Sequence, residues 1–390
     1  MSASYLIAGC RTPIGRLSGA LSGVPAPKLG AIAIAETLRR AGLPVDAVEE
    51  VIMGNVLAAG LGQAPARQAA LFAGLPDSIA ALTINKMCGS GLKAAMLADQ
   101  IIRAGDADVI IAGGMESMSR APFLIDGARQ GWKFGHQQIR DSMLHDGLWC
   151  AFEDIAMGAE ADYIAASRGV SRADQDAFAV ESHRRAAARA GKSLEEIVPV
   201  TVPGRKGESL VHQDEGPRPD TSLEILAKLR PSFGAEGTVT AGNASQISDG
   251  AAAVAVVSEK IARQSNSPLK ARIVATATSG VAPKEIFYAP VSAVQNVLAK
   301  AGLTMADIDL IELNEAFAAQ CLACMRPLEA DPAKTNVHGG AIALGHPIGA
   351  SGARVLVTLL YALAERGLKR GLASLCLGGG NAVAMIVQRD

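Results

Sequence analysis

A layered α/β protein made of two related halves is what this sequence predicts, and three observations carry the prediction. Hydrophobic residues fill 49% of the 390 positions while aromatics fill 4%. The core must therefore be built from Ala, Val, Ile and Leu, the composition of helices packed on a parallel sheet. Segments far apart in the chain read alike, the mark of an internal duplication. Several short apolar runs also stop at consecutive glycines, as strands buried on both faces tend to do. The length exceeds one ordinary core and sets an expectation of two or three domains.

Taken in chain order, "AIAETLRRAGLPVDAVEEVIMGNVLAA" at 33–59 gives a helical pattern closed by Ala-Gly-Leu, an acidic turn, an apolar strand and then Asn55. "AVQNVLAKAGLTMADIDLIELNEAFAA" at 293–319 repeats that order and brings Asn314 to the matching point. The second pair comprises 88–114 and 348–380. In each a Ser-Gly opens a helix, a charged turn follows, and a strand ("DVIIAGG", "LASLCLGGG") ends in glycines. Leu92 with Met96, Leu97 with Ile101, Val355 with Leu359 and Leu356 with Leu360 stand at i, i+4 on these helices. Residues 119–247 match neither repeat, and the apolar run at 251–259 reads as a strand resuming the first half. The expected division is 1–118 with 248–268 as an N-terminal half, 119–247 as an inserted loop domain covering a site, and 269–390 as a C-terminal half.

The 37 basic and 38 acidic residues leave a net charge of −1, which argues against nucleic acid as the main partner. No basic leader precedes an apolar run at the start, and no uninterrupted apolar stretch is long enough to span a bilayer. The expectation is a cytoplasmic protein without a membrane partner. Six cysteines spread over this length do not form a secreted disulfide framework. Cys321 and Cys324 form a C-x-x-C inside an apolar helical run with no second pair or nearby His, which reads as helix packing, so no metal site is expected.

If the halves are related, their matching loops meet near a pseudo-two-fold axis and bring distant residues into one cleft. Cys88, Asn314, His346 and Cys376 lie at such loops. Cys88 stands where a helix begins, and amide donors there lower a thiol pKa from about 8.5 toward roughly 3.5–7.5, so it is read as a nucleophile. Cys376 closes a strand without such help; it stays a thiol and suits proton transfer. Glycines 378–380 offer backbone N–H groups to an oxyanion. Asn314 sits at a strand-to-helix junction, either as a cap or as an orienting amide. His346 lies in "HGGAIALGHPIGASGAR", where the small residues are expected to let a ligand approach the imidazole.

No G-x-S-x-G elbow, HExxH or early G-x-G-x-x-G is present, which sets aside serine hydrolases, zinc peptidases and nicotinamide enzymes. The set fits acyl transfer coupled to carbon–carbon bond chemistry. Cys88 holds the acyl group, Cys376 moves a proton, His346 activates Cys88, and Asn314 orients a water or donor. A decarboxylating ketoacyl synthase and a non-catalytic coenzyme A-binding protein stay open as alternatives; Cys376, where the former typically carries a histidine, speaks against it.

At "RTPIG", "MCGSGLKAA", "GGMESMS", "TAGNAS", "DGAAA", "LNEAFA", "HGGAIALGHPIGASG" and "CLGGG", in that order, the sequence resembles the thiolases, close to bacterial acetyl-CoA acetyltransferases. The resemblance implies the thiolase fold, two layered α/β/α/β/α halves with an inserted loop domain. It implies Cys88 as the acylated nucleophile, His346 as its activator and Cys376 as the acid/base. Asn314 would hold a water for the first oxyanion hole, and the N–H groups of Cys88 and Gly378 would form the second. Arg218, Ser245, Leu148, Met157 and Phe233 would line the coenzyme A path, with coenzyme A as substrate and product, acyl-CoA as partner and no tightly bound cofactor. A homodimer or homotetramer is implied as well. Two places depart from the family pattern: Ala156 where relatives often carry His before Met-Gly, and Tyr288-Ala289-Pro290 where they often read Met-Gly-Pro. Both are expected to shape the acyl pocket, leaving a longer or branched 3-oxoacyl-CoA open beside acetoacetyl-CoA.

Overall fold

In a computed structural model, which describes residues 3–189, 195–204 and 207–389, the duplication is visible in the strand order. The main sheet runs Leu310–Leu313, Arg370–Leu377, Asn381–Arg389, Ala271–Gly280, Ser4–Arg11, Ser248–Ser258, Val109–Ser117, Glu50–Gly54 and Ala80–Ile84. From either outer side toward the middle the pairings repeat, parallel, antiparallel, antiparallel, so the centre of the sheet is antiparallel and the expectation of a parallel sheet holds only toward its edges. Strand Ala80–Ile84 pairs in parallel at one outer edge; its place at the other is marked by a parallel bridge between Ile311 and Thr335. The halves share one sheet through two residue pairs, Tyr5 with Arg272 and Leu6 with Ala271.

Helices complete five layers. Ala26–Ala41 and Pro65–Phe72 cover the outer face of the first half, and Ala289–Ala301 and Ala318–Leu328 cover that of the second. Between the two halves of the sheet lie Ser90–Ala104, which opens on Ser-Gly as expected, and Ile348–Glu365, which starts three residues before the Ser-Gly expected to open it because Pro347 already caps the helix. Helix Ile348–Glu365 is largely apolar because sheet and helix surround it; it has the length and composition of a membrane span, yet 89% of it is buried inside the protein.

The two Ser-Gly pairs explain how the halves approach so closely. A Cβ on Gly91 would stand 2.5 Å from the Ala353 backbone N, and one on Gly352 would stand 2.3 Å from the Leu92 backbone N. Each helix start thus uses its glycine to admit the other's backbone. The small residues after His346 serve this contact between halves. Gly349, Ser351 and Gly352 are buried away from the cavity described below, and within 347–354 only Ile348 lines it. The expectation that they make room for a ligand is corrected accordingly.

Residues 119–247 contribute no strand to the main sheet among the described residues; they form three two-stranded ribbons and helices Met157–Ser167 and Arg172–Ala187. Strand Ser248–Ser258 lies between Ser4–Arg11 and Val109–Ser117. Cys321 and Cys324 are buried, and their thiols donate to the carbonyls of Asn314 and Phe287.

Candidate active site

The helix openings deliver two reactive groups to one place. Cys88 precedes Gly89, which caps helix Ser90–Ala104, and the turn is tied by Ser90 Oγ, which accepts from the Lys86 N–H at 2.8 Å and donates to the Met87 carbonyl. Met87 holds a left-handed backbone, φ 47°, a strained conformation of the kind that persists where surrounding structure enforces it. His346 precedes Pro347, the cap of helix Ile348–Glu365. Its backbone N–H donates to the Gln246 carbonyl at 2.9 Å, while the Gln246 amide donates to the carbonyls of Gly216, Ile342 and Ala343. Strand Arg370–Leu377 brings up Cys376, and Gly378 follows it.

Cys88, His346, Cys376 and Gly378 all line one cavity of about 700 Å³. The N–H groups of Cys88 and Gly378 lie close enough to the Cys88 sulfur to stabilise its anion, and the Cys376 sulfur feels the charge of Cys88. His346 is buried, its Nδ1 2.6 Å from Ser351 Oγ. Ser351 Oγ has one proton and lies 2.9 Å from the Pro347 carbonyl. That carbonyl takes the hydroxyl proton, so His346 Nδ1 carries the hydrogen and donates to Ser351. His346 Nε2 is then a bare lone pair, buried and without a partner among the described residues. Burial, and then the Arg354 charge, push the imidazole down to about 3, so it is a neutral base.

Leu148, Met157, Phe233, Ser245 and Arg218 line the same cavity. Phe233 rests against Gly158, where a Cβ would meet the ring, and makes an edge contact with Phe317, centroids 6.5 Å apart. The Ser245 N–H donates to the Ala316 carbonyl at 3.0 Å, joining the loop domain to the C-terminal half. The Arg218 N–H donates to His183 Nδ1 at 3.1 Å, and burial holds His183 neutral, at about 4.

A family model for the thiolase N-terminal domain matches residues 4–260, and one for the thiolase C-terminal domain matches 267–389. The chain belongs to the thiolase family. It is an acyltransferase. The acetyl-CoA acetyltransferase of Pseudomonas aeruginosa is 53% identical over 388 residues, covering 99% of each chain. A probable acetyl-CoA acyltransferase of Staphylococcus aureus is 50% identical over 392 residues, covering 100% of each. The crystal structure of the Bacillus anthracis acetyl-CoA acetyltransferase matches with a TM-score of 0.97 at 39% identity, covering 100% of this chain and 99% of that one.

Two expectations about this thiolase, the Cys88 thiolate and the place of Tyr288 at the acyl pocket, are corrected by its geometry. Cys88 is no resting thiolate: burial pushes its thiol up to about 12, and the Glu116 carboxylate adds to the rise, outweighing the two backbone donors. Helix Ser90–Ala104 starts two residues later, and its capping N–H groups, on Gly89 and Ser90, are spent on Lys86 and Met87. Asn314 is fully buried and is not on the cavity wall, which its loop reaches at Ala316 and Phe317. Tyr288 is not on the wall either. Ile286 and Phe287 are, beside Ala156, while Tyr288 lies under the Arg168 guanidinium, 4.0 Å from ring centre to charge.

The sequence reading missed Arg16, Gln246 and Phe287 on the wall, and Ser351 and Arg354 behind it. "RTPIG" ends one residue before Arg16 and "GASG" contains Ser351, so position within a motif was the available signal for both.

Proposed function

We propose that this thiolase interconverts two acetyl-CoA molecules with acetoacetyl-CoA and free coenzyme A through an acyl-Cys88 thioester. The observation that carries the reading is the convergence of a thiol, a bare imidazole nitrogen, a second thiol and two backbone donors on one cavity. As Cys88 Sγ attacks the thioester carbonyl, His346 Nε2 takes its proton. The carbon–sulfur bond to coenzyme A breaks, and Cys376 gives its proton to the departing sulfur, leaving a Cys376 thiolate beside the imidazolium. Burial holds the Cys376 thiol well above the usual range, which makes that thiolate a strong base, matched to the weakly acidic proton beside the second thioester carbonyl. The carbanion attacks the acyl-Cys88 carbonyl, and His346 returns its proton to the Cys88 sulfur. The Cys88 and Gly378 N–H groups stabilise one oxyanion; protonated His346 and a water held by Asn314 stabilise the other.

Coenzyme A takes the channel past Leu148, Met157, Phe233 and Ser245, with Arg16 and Arg218, both exposed at the mouth, facing its phosphates. Residues 119–247 act as the cover. Phe287 and Phe317, ring centroids 5.1 Å apart, narrow the acyl end and favour acetyl over longer groups. The proposal includes a cytoplasmic homo-oligomer, without nucleic-acid or membrane partners and without a tightly bound cofactor; strand Ala80–Ile84, at the sheet edge with Leu82 exposed, supports pairing with a second copy.

Mass spectrometry after brief exposure to acetyl-CoA tests the reading: an acetyl group on Cys88 is expected, and active protein with unmodified Cys88 would overturn it. A thiolysis series from C4 upward should show kcat/KM falling with chain length.

A further inference from the structure

Behind the cavity wall the first two turns of helix Ile348–Glu365 present two polar side chains on one face, Ser351 and Arg354, three residues apart. Ser351 holds His346 as described. Arg354 reaches strand Leu310–Leu313 and the loop after it: its Nη1 lies 3.1 Å from Glu312 Oε2 and its Nη2 lies 3.3 Å from Asn314 Oδ1. Both members of the ion pair are buried, each side chain 2% exposed.

A guanidinium has donors and no acceptor, so the end of the Asn314 amide facing it has to be the oxygen. The amide nitrogen is thereby turned away from Arg354. It is buried and has no partner among the described residues, a costly state for a donor unless something outside the protein chain satisfies it.

The duplicated asparagine shows that this polarity is chosen. Asn55, at the matching point of the first half, stands beside an acid instead of a base. Its nitrogen donates to Glu116 Oε1 at 2.8 Å and to the Met115 carbonyl at 3.2 Å, and its oxygen is the atom left without a partner. The two halves thus hold the same amide in opposite senses.

We propose that Arg354 is a positioning residue: by holding the oxygen of Asn314 it fixes the amide with its N–H₂ free to bind the water or oxyanion of the reaction. Glu312 keeps the guanidinium in place, and the nearby positive charge also opposes protonation of His346. The inference rests on the proposed reaction, since Asn314 matters to rate only if an oxyanion forms there.

The test is a double-mutant cycle. Arg354→Met with Glu312→Gln removes the pair together, so that no uncompensated charge is left buried. This variant should lose about 10²-fold in condensation and thiolysis kcat, the scale of a lost oxyanion donor, with KM for acyl-CoA within about twofold. On an Asn314→Ala background the same pair of changes should cost less than about threefold more, because the group it acts through is gone. Unchanged kcat in the first comparison, or a full further 10²-fold loss in the second, overturns the proposal. If the double variant does not fold, Arg354→Lys, which keeps the charge but not both contacts, is taken through the same cycle with the same criteria. Acetylation of Cys88 in the parent protein is measured in parallel; its absence would count against the reaction and not against the positioning role.

Discussion

Asn55 and Asn314 occupy equivalent points of a duplicated backbone, and the neighbours of each make them opposites. Around Asn55 an acid consumes the amide donor: Glu116 accepts from Asn55 and from the N–H groups of Val56, Leu57 and Gly349. That carboxylate is itself buried and pushed up to about 7 by desolvation, and it ties the first half to the start of helix Ile348–Glu365 in the second. Around Asn314 a base consumes the amide acceptor and leaves the donor free. Duplication supplied the two positions; one became a structural clasp and the other a chemical group because a single charge of different sign was set beside each.

The comparison can be broken most severely at the asparagines themselves. Asn314→Ala should lower kcat for thiolysis by about 10²–10³-fold, a loss beyond anything its stability cost explains, since it also leaves a buried Arg354 donor without its acceptor. Asn55→Ala should cost about 1.5–3 kcal/mol in denaturant unfolding through a lost bond to a buried carboxylate while kcat stays within a few-fold. Equal rate losses at both positions would show that the halves are not specialised as described.

A smaller effect is expected where the halves touch. Gly352→Ala places a methyl 2.3 Å from the Leu92 backbone N and Gly91→Ala one 2.5 Å from the Ala353 backbone N. Each should cost about 1–3 kcal/mol by overpacking, seen as a lower unfolding midpoint. The two costs should not add, since one displacement of the helices relieves both.

The smallest effect concerns the resting state of Cys88. With its thiol pushed up to about 12, the thiolate fraction climbs about tenfold per pH unit across the neutral range. Iodoacetamide alkylation of Cys88, followed by mass spectrometry, should therefore accelerate steadily between pH 7 and pH 9. A plateau below pH 8 would mean a thiolate already formed at the helix start.

Local sequence determined a good deal about this protein. Periodicity gave the helices that carry Ser90-Gly91 and Ser351-Gly352, the glycine-ended runs gave the strands, and the likeness of 33–59 to 293–319 gave the duplication, because each rests on spacing along the chain. Of the four candidates in matching loops, Cys88, His346 and Cys376 reach one cavity, while Asn314 is fully buried and off its wall.

What the tertiary structure decided was the environment of each group. The thiol of Cys88 rises where the helix-start argument had it fall, since desolvation is set by residues distant in sequence. His346 is a neutral base because Ser351 and the burial around it make it one. Phe287 rather than its neighbour Tyr288 lies on the cavity wall, and Arg354, Glu312 and Asn314 acquire their relation only when helix Ile348–Glu365 lies against strand Leu310–Leu313. For the polar groups the physical reason is common: identity and spacing fix what a side chain can do, while burial and the charge beside it fix which protonation state and which end of the group it presents.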